Sequence, residues 1–403
     1  MSTPSKLELL ALPLAASLHG EETRTLFSRV AADFQARTGI GLREGEEGEV
    51  LSEPLPVFLL LTGGTEAELL ALARKAAGPL LVLSHGTHNS LPAALEAVAR
   101  LRSDGRQVRL VHLDTGRAAR ELVLLSRATA LAKALRGLRV GLIGGASPWL
   151  VASSPDQGVL EGKLGIEVIQ FSLREVLRRL PEVAPPVGAP GEGVEEEGRR
   201  MGPRVYIALR ELIKEHRLSG ISIACFGLLK YGLTACWALS RLSDEGIAGG
   251  CEGDLPALLA LLCAHALTGV PGFLANPADV DPKRERLVLA HCTVPLKLVE
   301  DFRLRTHFES GMGLAIAGAL RPGPYTLVRF GGARLERAFI VEGTVLPERP
   351  GREDLCRTQV VFKSPKGALE KLLSEPLGNH HVLIPGHQRA VLAAFHELFL
   401  ARI

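Results

Sequence analysis

Hydrophobic stretches of strand length alternate with longer segments of helical period along the first third of the chain. The predicted strands are Leu7–Ala11, Val57–Thr62, Leu80–Ser84, Val108–Leu113 and Val140–Ile143. The predicted helices are Glu21–Gln35, Glu66–Ala76, Leu91–Leu101 and Arg117–Leu135. Such alternation is typical of a parallel sheet covered on both faces, so we predict a doubly wound, Rossmann-like α/β domain over residues 1–137. Within it, Thr65 and Glu68 predict a capping box, and Ser90 a cap on the next helix.

A second α/β domain is predicted over residues 138–281, with strands at Glu167–Phe171 and Ile221–Cys225. The segment Pro181–Arg200 between them is rich in Pro, Gly and Glu, which indicates a solvated surface connection.

After Asp281 the pattern changes to short alternating stretches, which favours an antiparallel, barrel-like β-rich domain over residues 282–403. The predicted strands are Leu287–Cys292, Phe302–His307, Tyr325–Phe330, Ala338–Thr344 and Thr358–Phe362, and a helix over Arg389–Ala401 closes the chain.

Composition excludes several function classes. The chain has 403 residues, 46% of them hydrophobic, and 47 basic against 44 acidic residues without a basic tract, so nucleic acid is not an expected partner. The apolar stretches are shorter than the roughly 20 residues that cross a bilayer, and we find no secretion signal, so we expect a cytoplasmic protein without membrane contact. Neither a dinucleotide fingerprint nor a phosphate-binding loop occurs. The six cysteines have no C-x-x-C spacing, which indicates reduced thiols.

The sequence Cys251-Glu252-Gly253-Asp254 places two carboxylates at the start of a predicted apolar helix. Unpaired N–H groups and the helix dipole favour ionised carboxylates there, which suits metal binding or proton transfer. The alternative is that Asp254 is simply the N-cap of that helix.

Three histidine clusters are further candidates: His291-Cys292-Thr293, His307 to Gly311 with Glu309, and Gly378-Asn379-His380-His381 followed by His387. Taken singly, His291 could be a core histidine, and His307 with Glu309 a cross-strand polar pair. Taken together, they predict a divalent-cation site with Glu252 or Asp254 as oxygen ligand and His380 as imidazole ligand. Mixed oxygen and nitrogen ligands suit Mn²⁺ better than zinc.

Several motifs resemble the superfamily of L-fucose isomerase and L-arabinose isomerase, in particular its shorter fucose isomerase-like members. The resemblance is strongest from Arg204 to His387 and is carried by Ala238–Ile247, Cys251–Asp254, Leu267–Gly269, Phe273–Pro277, Gly378–His380 and Gly386–His387. It implies an enzyme of carbohydrate metabolism that interconverts aldoses and ketoses through an enediol with Mn²⁺. It also implies Asp254 and His380 as metal ligands, Glu252 as a further ligand or proton-transfer group, and a homo-oligomer, either a trimer or a hexamer.

One departure from the family pattern affects the chemistry. The family's first acidic residue is expected near Gly227 or Lys230, but no Asp or Glu occurs between His216 and Ser243. Three outcomes are open. Glu309 or a neighbouring subunit fills the gap, Lys230 binds an anionic group in changed chemistry, or the protein binds a sugar without converting it.

Further sugar contacts are predicted from loops that follow strands. His85, His88 and Asn89 lie in such a loop, and the alternative is that this loop only ends in a helix N-cap. Trp149 either offers an apolar face to a sugar ring or is a core side chain. His291, His387 and Lys230 complete the predicted substrate contacts.

Overall fold

The computed structural model describes residues 7–19, 22–156, 158–191 and 193–401. The chain divides into two compact units, one of residues up to 133 with a C-terminal segment from 397, the other of residues 134–396. The predicted division into three domains stays a prediction.

The first unit is built on a parallel sheet of five strands in the order β2-β1-β3-β4-β5. Its strands are β1 (Glu8–Leu14), β2 (Gly41–Glu44), β3 (Val57–Leu60), β4 (Leu80–Ser84) and β5 (Val108–His112). The helices are α1 (Glu22–Thr38), α2 (Glu47–Leu51), α3 (Glu66–Lys75), α4 (Ser90–Ser103) and α5 (Ala118–Leu135), with a 3₁₀ turn at Ser17–His19. The first residue of the predicted helix Glu21–Gln35 lies outside the described residues.

Two predicted helix caps of this unit are wrong. Thr65 precedes α3 but makes no side-chain capping hydrogen bond. Asn89, in the left-handed conformation, is the N-cap of α4, also without a side-chain bond. The Ser90 hydroxyl instead donates to Leu60 O at 2.5 Å and accepts from His85 N at 3.0 Å. Ser90 therefore joins neighbouring strand ends of the sheet.

The second unit contains a parallel sheet of four strands in the order β7-β6-β8-β9. Its strands are β6 (Arg139–Ile143), β7 (Glu167–Phe171), β8 (Gly220–Ile223) and β9 (Ala248–Cys251). Its helices are α6 (Gly158–Leu164), α7 (Leu173–Leu177), α8 (Glu196–His216), α9 (Cys236–Asp244) and α10 (Leu255–Thr268). The strand predicted at Ile221–Cys225 ends earlier because Cys225 begins a 3₁₀ helix, Cys225–Tyr231. The predicted connection Pro181–Arg200 overlaps the start of α8.

The rest of the second unit is antiparallel and includes a closed six-stranded barrel in the order β10-β11-β16-β15-β14-β17. The strands in chain order are β10 (Phe273–Asp281), β11 (Arg286–His291), β12 (Val299–Arg305), β13 (Ala315–Leu320), β14 (Gly323–Gly331), β15 (Arg337–Val345), β16 (Thr358–Lys363) and β17 (His381–Pro385). Strands β12 and β13 form a separate ribbon. Helix α11 is Ala368–Ser374 and α12 is Arg389–Phe395, and a 3₁₀ turn spans Leu296–Leu298. A π-helical turn, His396–Leu400, continues α12 into the C-terminal segment that belongs to the first unit. The predicted class, parallel α/β followed by antiparallel β, is confirmed.

Helix α10 connects the parallel sheet to the barrel. Every residue from Leu255 to Ala264 is buried, because the helix packs against β8 and β9 on one side and against β14 and β17 on the other. A helix that is apolar all round is typical of such a fully enclosed position. The N-terminus of α10 therefore lies where strand ends of the sheet meet the barrel.

All six cysteines are free thiols, and all but Cys356 are buried. Among the described helices, none combines the length and the hydrophobicity that a membrane span requires.

Candidate functional site

The loops that follow β6, β8 and β9 lie at the carboxyl edge of the second sheet. Strand β6 is joined to β7 on one side and β8 lies on its other side, so the chain reverses direction across the sheet between β6 and β8. Ligands of open α/β sheets bind in the crevice outside such a switch point. The first residues after these strands therefore define the candidate site.

A tight turn after β9 carries both predicted carboxylates. Glu252 has a φ of 60° and Gly253 a φ of 74°, both in the left-handed region. A Cβ at position 253 would overlap Gly145 O and come within 2.6 Å of Ala146 Cα, so only glycine fits there. The Ser147 N–H donates to Glu252 O at 2.8 Å and ties the turn to the loop after β6. The strained conformation of Glu252 is thus held by its neighbours, as is common at functional sites.

Asp254 is the N-cap of α10 and accepts from Ala257 N at 2.8 Å. The N-cap interpretation is therefore confirmed, but the carboxylate does more. Arg329 Nη1 donates to Oδ1 at 2.9 Å and to Oδ2 at 2.8 Å, and His380 Nδ1 lies 3.0 Å from Oδ2. Burial raises the pKa of Asp254, whereas Arg329 and His380 together lower it by more. The pKa of Asp254 therefore lies below its ordinary value. Asp254 is thus an ionised acceptor with both oxygens occupied.

His380 is fully buried just before β17 and faces both carboxylates. Because ionised Asp254 can only accept, the proton that joins them is on His380 Nδ1. His380 Nε2 is buried without a hydrogen-bond partner among the described residues, and it lies 3.9 Å from Glu252 Oε2. In the neutral imidazole Nε2 carries a lone pair, so two acceptor atoms face each other across this gap. A proton or a cation between them would satisfy both, whereas a substrate hydroxyl would donate to one of the two.

Trp149, in the loop after β6, holds Glu252 in place. Its indole Nε1 donates to Glu252 Oε2 at 2.6 Å. The indole meets Phe226 edge to face at a centroid distance of 4.9 Å, and Phe226 meets His307 in the same way at 5.6 Å. Trp149 remains 50% exposed, so these rings form an apolar wall that is open to solvent at the indole.

His291 lies beside His380, with ring centroids 5.5 Å apart. Its Nδ1 is 2.8 Å from the hydroxyl of Thr293, so it has a structural partner as well as a place at the site. Burial lowers the pKa of His291 to about 3. The imidazole is therefore neutral at physiological pH.

Lys230, His307, Glu309 and His387 have the following surroundings. Lys230 is exposed, with its ammonium 5.0 Å from the ring centroid of Tyr231. Glu309 is exposed, while His307 bonds Ser310 at 2.9 Å, so His307 and Glu309 do not form the cross-strand pair considered above. His387 is exposed and lies 3.4 Å from Glu342.

His85, His88 and Asn89 belong to the first unit. His85 is buried, with Nε2 3.0 Å from Leu61 O, and burial lowers its pKa. His88 and Asn89 are exposed and have positive φ angles of 53° and 55°. Asn89 ends the loop as the N-cap of α4, which was the alternative reading of this loop.

Gly227, one of the two positions where the family's first acidic residue was expected, has little room for a side chain. A Cβ at Gly227 would overlap Leu173, so the expected acidic side chain does not fit there without rearrangement. Within the described part of the chain, no group of three or more His, Cys, Asp or Glu side chains is arranged to hold a metal ion.

Arg329 was missed by sequence reasoning. It is the single charged residue in the stretch Tyr325–Phe330, where every side chain is buried. A lone arginine in an apolar strand signals a buried anionic partner, so the sequence could have singled out Arg329 without identifying that partner as Asp254.

Curated relatives of this chain are named as sugar isomerases. The chain is 24% identical over 274 residues to sulfoquinovose isomerase of Alkalicoccus urumqiensis, which covers 62% of this chain and 61% of that protein. It is 25% identical over 219 residues to sulfoquinovose isomerase of Clostridium sp. (strain MSTE9), 51% of this chain and 48% of that protein. No family model matches. These matches support a relationship to sugar isomerases, whereas membership of the fucose and arabinose isomerase superfamily stays a prediction.

Proposed function

We propose that this chain interconverts the aldose and ketose forms of a sugar at the site formed by Glu252 and His380. One observation carries the proposal: Glu252 Oε2 lies 3.9 Å from the buried Nε2 of His380, which has no hydrogen-bond partner in the described part of the chain, beside the switch point of a parallel sheet. The similarity to sulfoquinovose isomerases supports it. Because the chain spans 61% and 48% of those two proteins, their activity is extended to it only as part of this proposal.

Glu252 is the group that we assign to proton transfer. Its carboxylate removes the proton from C2 of the open-chain aldose, the electron pair moves onto the carbonyl oxygen O1, and O1 gains a proton to give the enediol. The same carboxylate returns its proton to C1 while the O2 hydroxyl gives up a proton to replace the one that O1 gained, so the ketose forms with no net change in protons. A positioned acid or base of this kind accelerates a reaction by about 10²- to 10⁴-fold. The hydrogen bond from Trp149 keeps the carboxylate aimed at the open side of the site.

Glu252 and His380 are also the residues that would hold a divalent cation, Mn²⁺ in the first instance. The orphaned Nε2 and the carboxylate oxygen fit such an ion as two ligands. Asp254 does not fit, because Arg329, His380 and Ala257 N already occupy its oxygens. When bound, a divalent cation polarises the sugar carbonyl and lowers the cost of the enediolate.

The substrate classes that we propose are pentoses, 6-deoxyhexoses and related sugars. The name of the relatives adds sulfoquinovose. The half-exposed indole of Trp149 offers an apolar face to a sugar ring, and His291 offers a neutral imidazole for hydroxyl groups. Lys230 is the exposed cation that we propose for an anionic substituent.

The decisive experiment incubates the protein with these sugars and MnCl₂ in D₂O. Turnover places deuterium at C1 of the ketose or C2 of the aldose, which NMR detects directly. In parallel, calorimetry measures Mn²⁺ binding to the parent, His380→Ala and His381→Ala. The matched control, His381, is the adjacent buried histidine, whose Nδ1 instead bonds Asn379 O at 3.0 Å. We expect His380→Ala to lose Mn²⁺ binding and His381→Ala to keep it, and equal binding by both would reject the assignment of His380.

A second candidate function is sugar binding without turnover. Two observations favour it: the expected first carboxylate is absent from Arg217 to Leu242, and Asp254 is fully paired. A rise in melting temperature with a sugar but no deuterium incorporation would select this function over isomerisation.

The resemblance to the isomerase superfamily extends the proposal to a cytoplasmic homo-oligomer, either a trimer or a hexamer. Sedimentation equilibrium tests the oligomeric state independently of catalysis.

A further inference from the structure

The guanidinium of Arg329 is buried within the second unit. Arg329 lies in β14, and neither its side chain nor that of Asp254 is exposed at all. Nη1 donates to both oxygens of Asp254 and to His380 O, the last at 3.1 Å. Nη2 donates to the hydroxyl of Ser153 at 2.6 Å. One side chain thus joins the barrel to the start of α10, to the residue before β17, and to the segment after β6.

The surroundings leave room for a guanidinium specifically. Gly378 has a φ of 140°, and a Cβ there would come within 2.6 Å of Arg329 Nη2 and 2.9 Å of Ser153 Oγ. The absence of a side chain at Gly378 therefore makes the space that the planar fork occupies. A lysine ammonium, a single point donor on a flexible stem, does not reproduce this set of directions.

We propose that Arg329 is a positioning residue: its Nη1 holds both oxygens of the Asp254 carboxylate, which in turn holds His380 Nδ1–H and leaves Nε2 directed at Glu252. The expected effect of Arg329 on catalysis rests on the proposed function, whereas its expected effect on the tautomer of His380 does not. Histidine ligands and bases are commonly oriented in this way through their second nitrogen. Arg329 itself lies behind Asp254 and is assigned no contact with the sugar.

Nitrogen-15 NMR of the histidine imidazoles tests the inference on the full-length protein. The His380 signals are assigned by their loss in His380→Asn. We expect the parent to show His380 protonated at Nδ1 with Nε2 unprotonated. Arg329→Met should shift the signals toward a mixture of both tautomers and lower kcat by at least 10-fold, with KM changed less than 3-fold. Rescue should be partial in Arg329→Lys.

The matched control is Arg357→Met. Arg357 is also largely buried, at 9% side-chain exposure, but it donates to Thr306 O and contacts Glu353 instead of Asp254. This variant should leave the His380 tautomer unchanged. A folded Arg329→Met protein with parent-like His380 signals would overturn the inference. If that variant does not fold, Arg329→Lys decides, and parent-like signals with parent-like kcat would overturn it equally.

The two proposals fail in different ways. If the parent converts none of the sugars, the isomerase function fails, while the tautomer measurement still tests the role of Arg329. If Arg329→Met keeps the tautomer but the parent is active, only the positioning role fails.

Discussion

The indole of Trp149 and the carboxylate of Glu252 meet at 2.6 Å, although 103 positions separate them in the chain. Each follows the end of a parallel strand, β6 for Trp149 and β9 for Glu252. Because the carboxyl ends of parallel strands lie at one edge of the sheet, loops far apart in sequence assemble a single site. The contact fixes a carboxylate whose backbone is already held at a φ of 60°.

Glu252→Gln should remove proton transfer with little effect on folding. The amide keeps the size of the side chain and can still accept from Trp149, but it is a far weaker base. We expect deuterium exchange at the sugar carbon to slow by about 10²- to 10⁴-fold. Glu309→Gln is the comparison variant, because Glu309 is an exposed carboxylate between β12 and β13 and is the residue considered for the missing carboxylate. If Glu309→Gln slows exchange and Glu252→Gln does not, Glu309 is the base and our assignment is wrong.

Two strands have the bounds that the sequence predicts, and they differ in burial. Leu80–Ser84 is buried at every position, whereas Glu167–Phe171 is an edge strand in which only Phe171 is buried. Both contain several hydrophobic residues that define a stretch of strand length. Strand β2, Gly41–Glu44, was missed because Leu42 is its one hydrophobic side chain, so no apolar pattern marks it.

The candidate site, like the fold, could be predicted from sequence only in part. Glu252, Asp254 and His380 could be nominated from motifs, and the structure brings them together. The saturation of Asp254 by Arg329 could not be predicted, because it depends on the register of a barrel strand 75 positions away. Sequence identified the residue types at the site, but only the fold showed which acceptor atoms are already occupied.

Gly253→Ala should destabilise the second unit and disturb the site. The added Cβ would overlap Gly145 O, a backbone atom that cannot turn aside, and φ is 74°. We expect a loss on the order of 3 kcal/mol in the free energy of unfolding, from overpacking and backbone strain together. Gly145→Ala is the control, with a φ of 77° but nothing within 4 Å of its Cβ, and strain alone costs about 1 kcal/mol. Urea midpoints measure both, and equal losses would contradict the close-approach argument.

The stability of the second unit should fall as pH drops from about 6.5 toward 4, partly because of His381 and His291. Burial lowers the pKa of His381 to about 4 and that of His291 to about 3. Between the unfolded pKa near 6.5 and these values, the unfolded chain binds protons that the folded chain excludes. Each histidine therefore costs about 1.4 kcal/mol per pH unit within this window, and its contribution is fully favourable only above it.

The slope of urea midpoint against pH isolates this effect. His381→Gln removes the titrating group, so we expect a flatter slope between pH 6.5 and 4 than in the parent, whatever its stability at pH 7.5. Phe273→Leu is the matched control, because Phe273 is a fully buried barrel side chain and its truncation weakens packing without removing the imidazole. That variant should lose stability with the parental slope retained. Equal slopes in His381→Gln and the parent would show that His381 takes up protons alike in the folded and unfolded states.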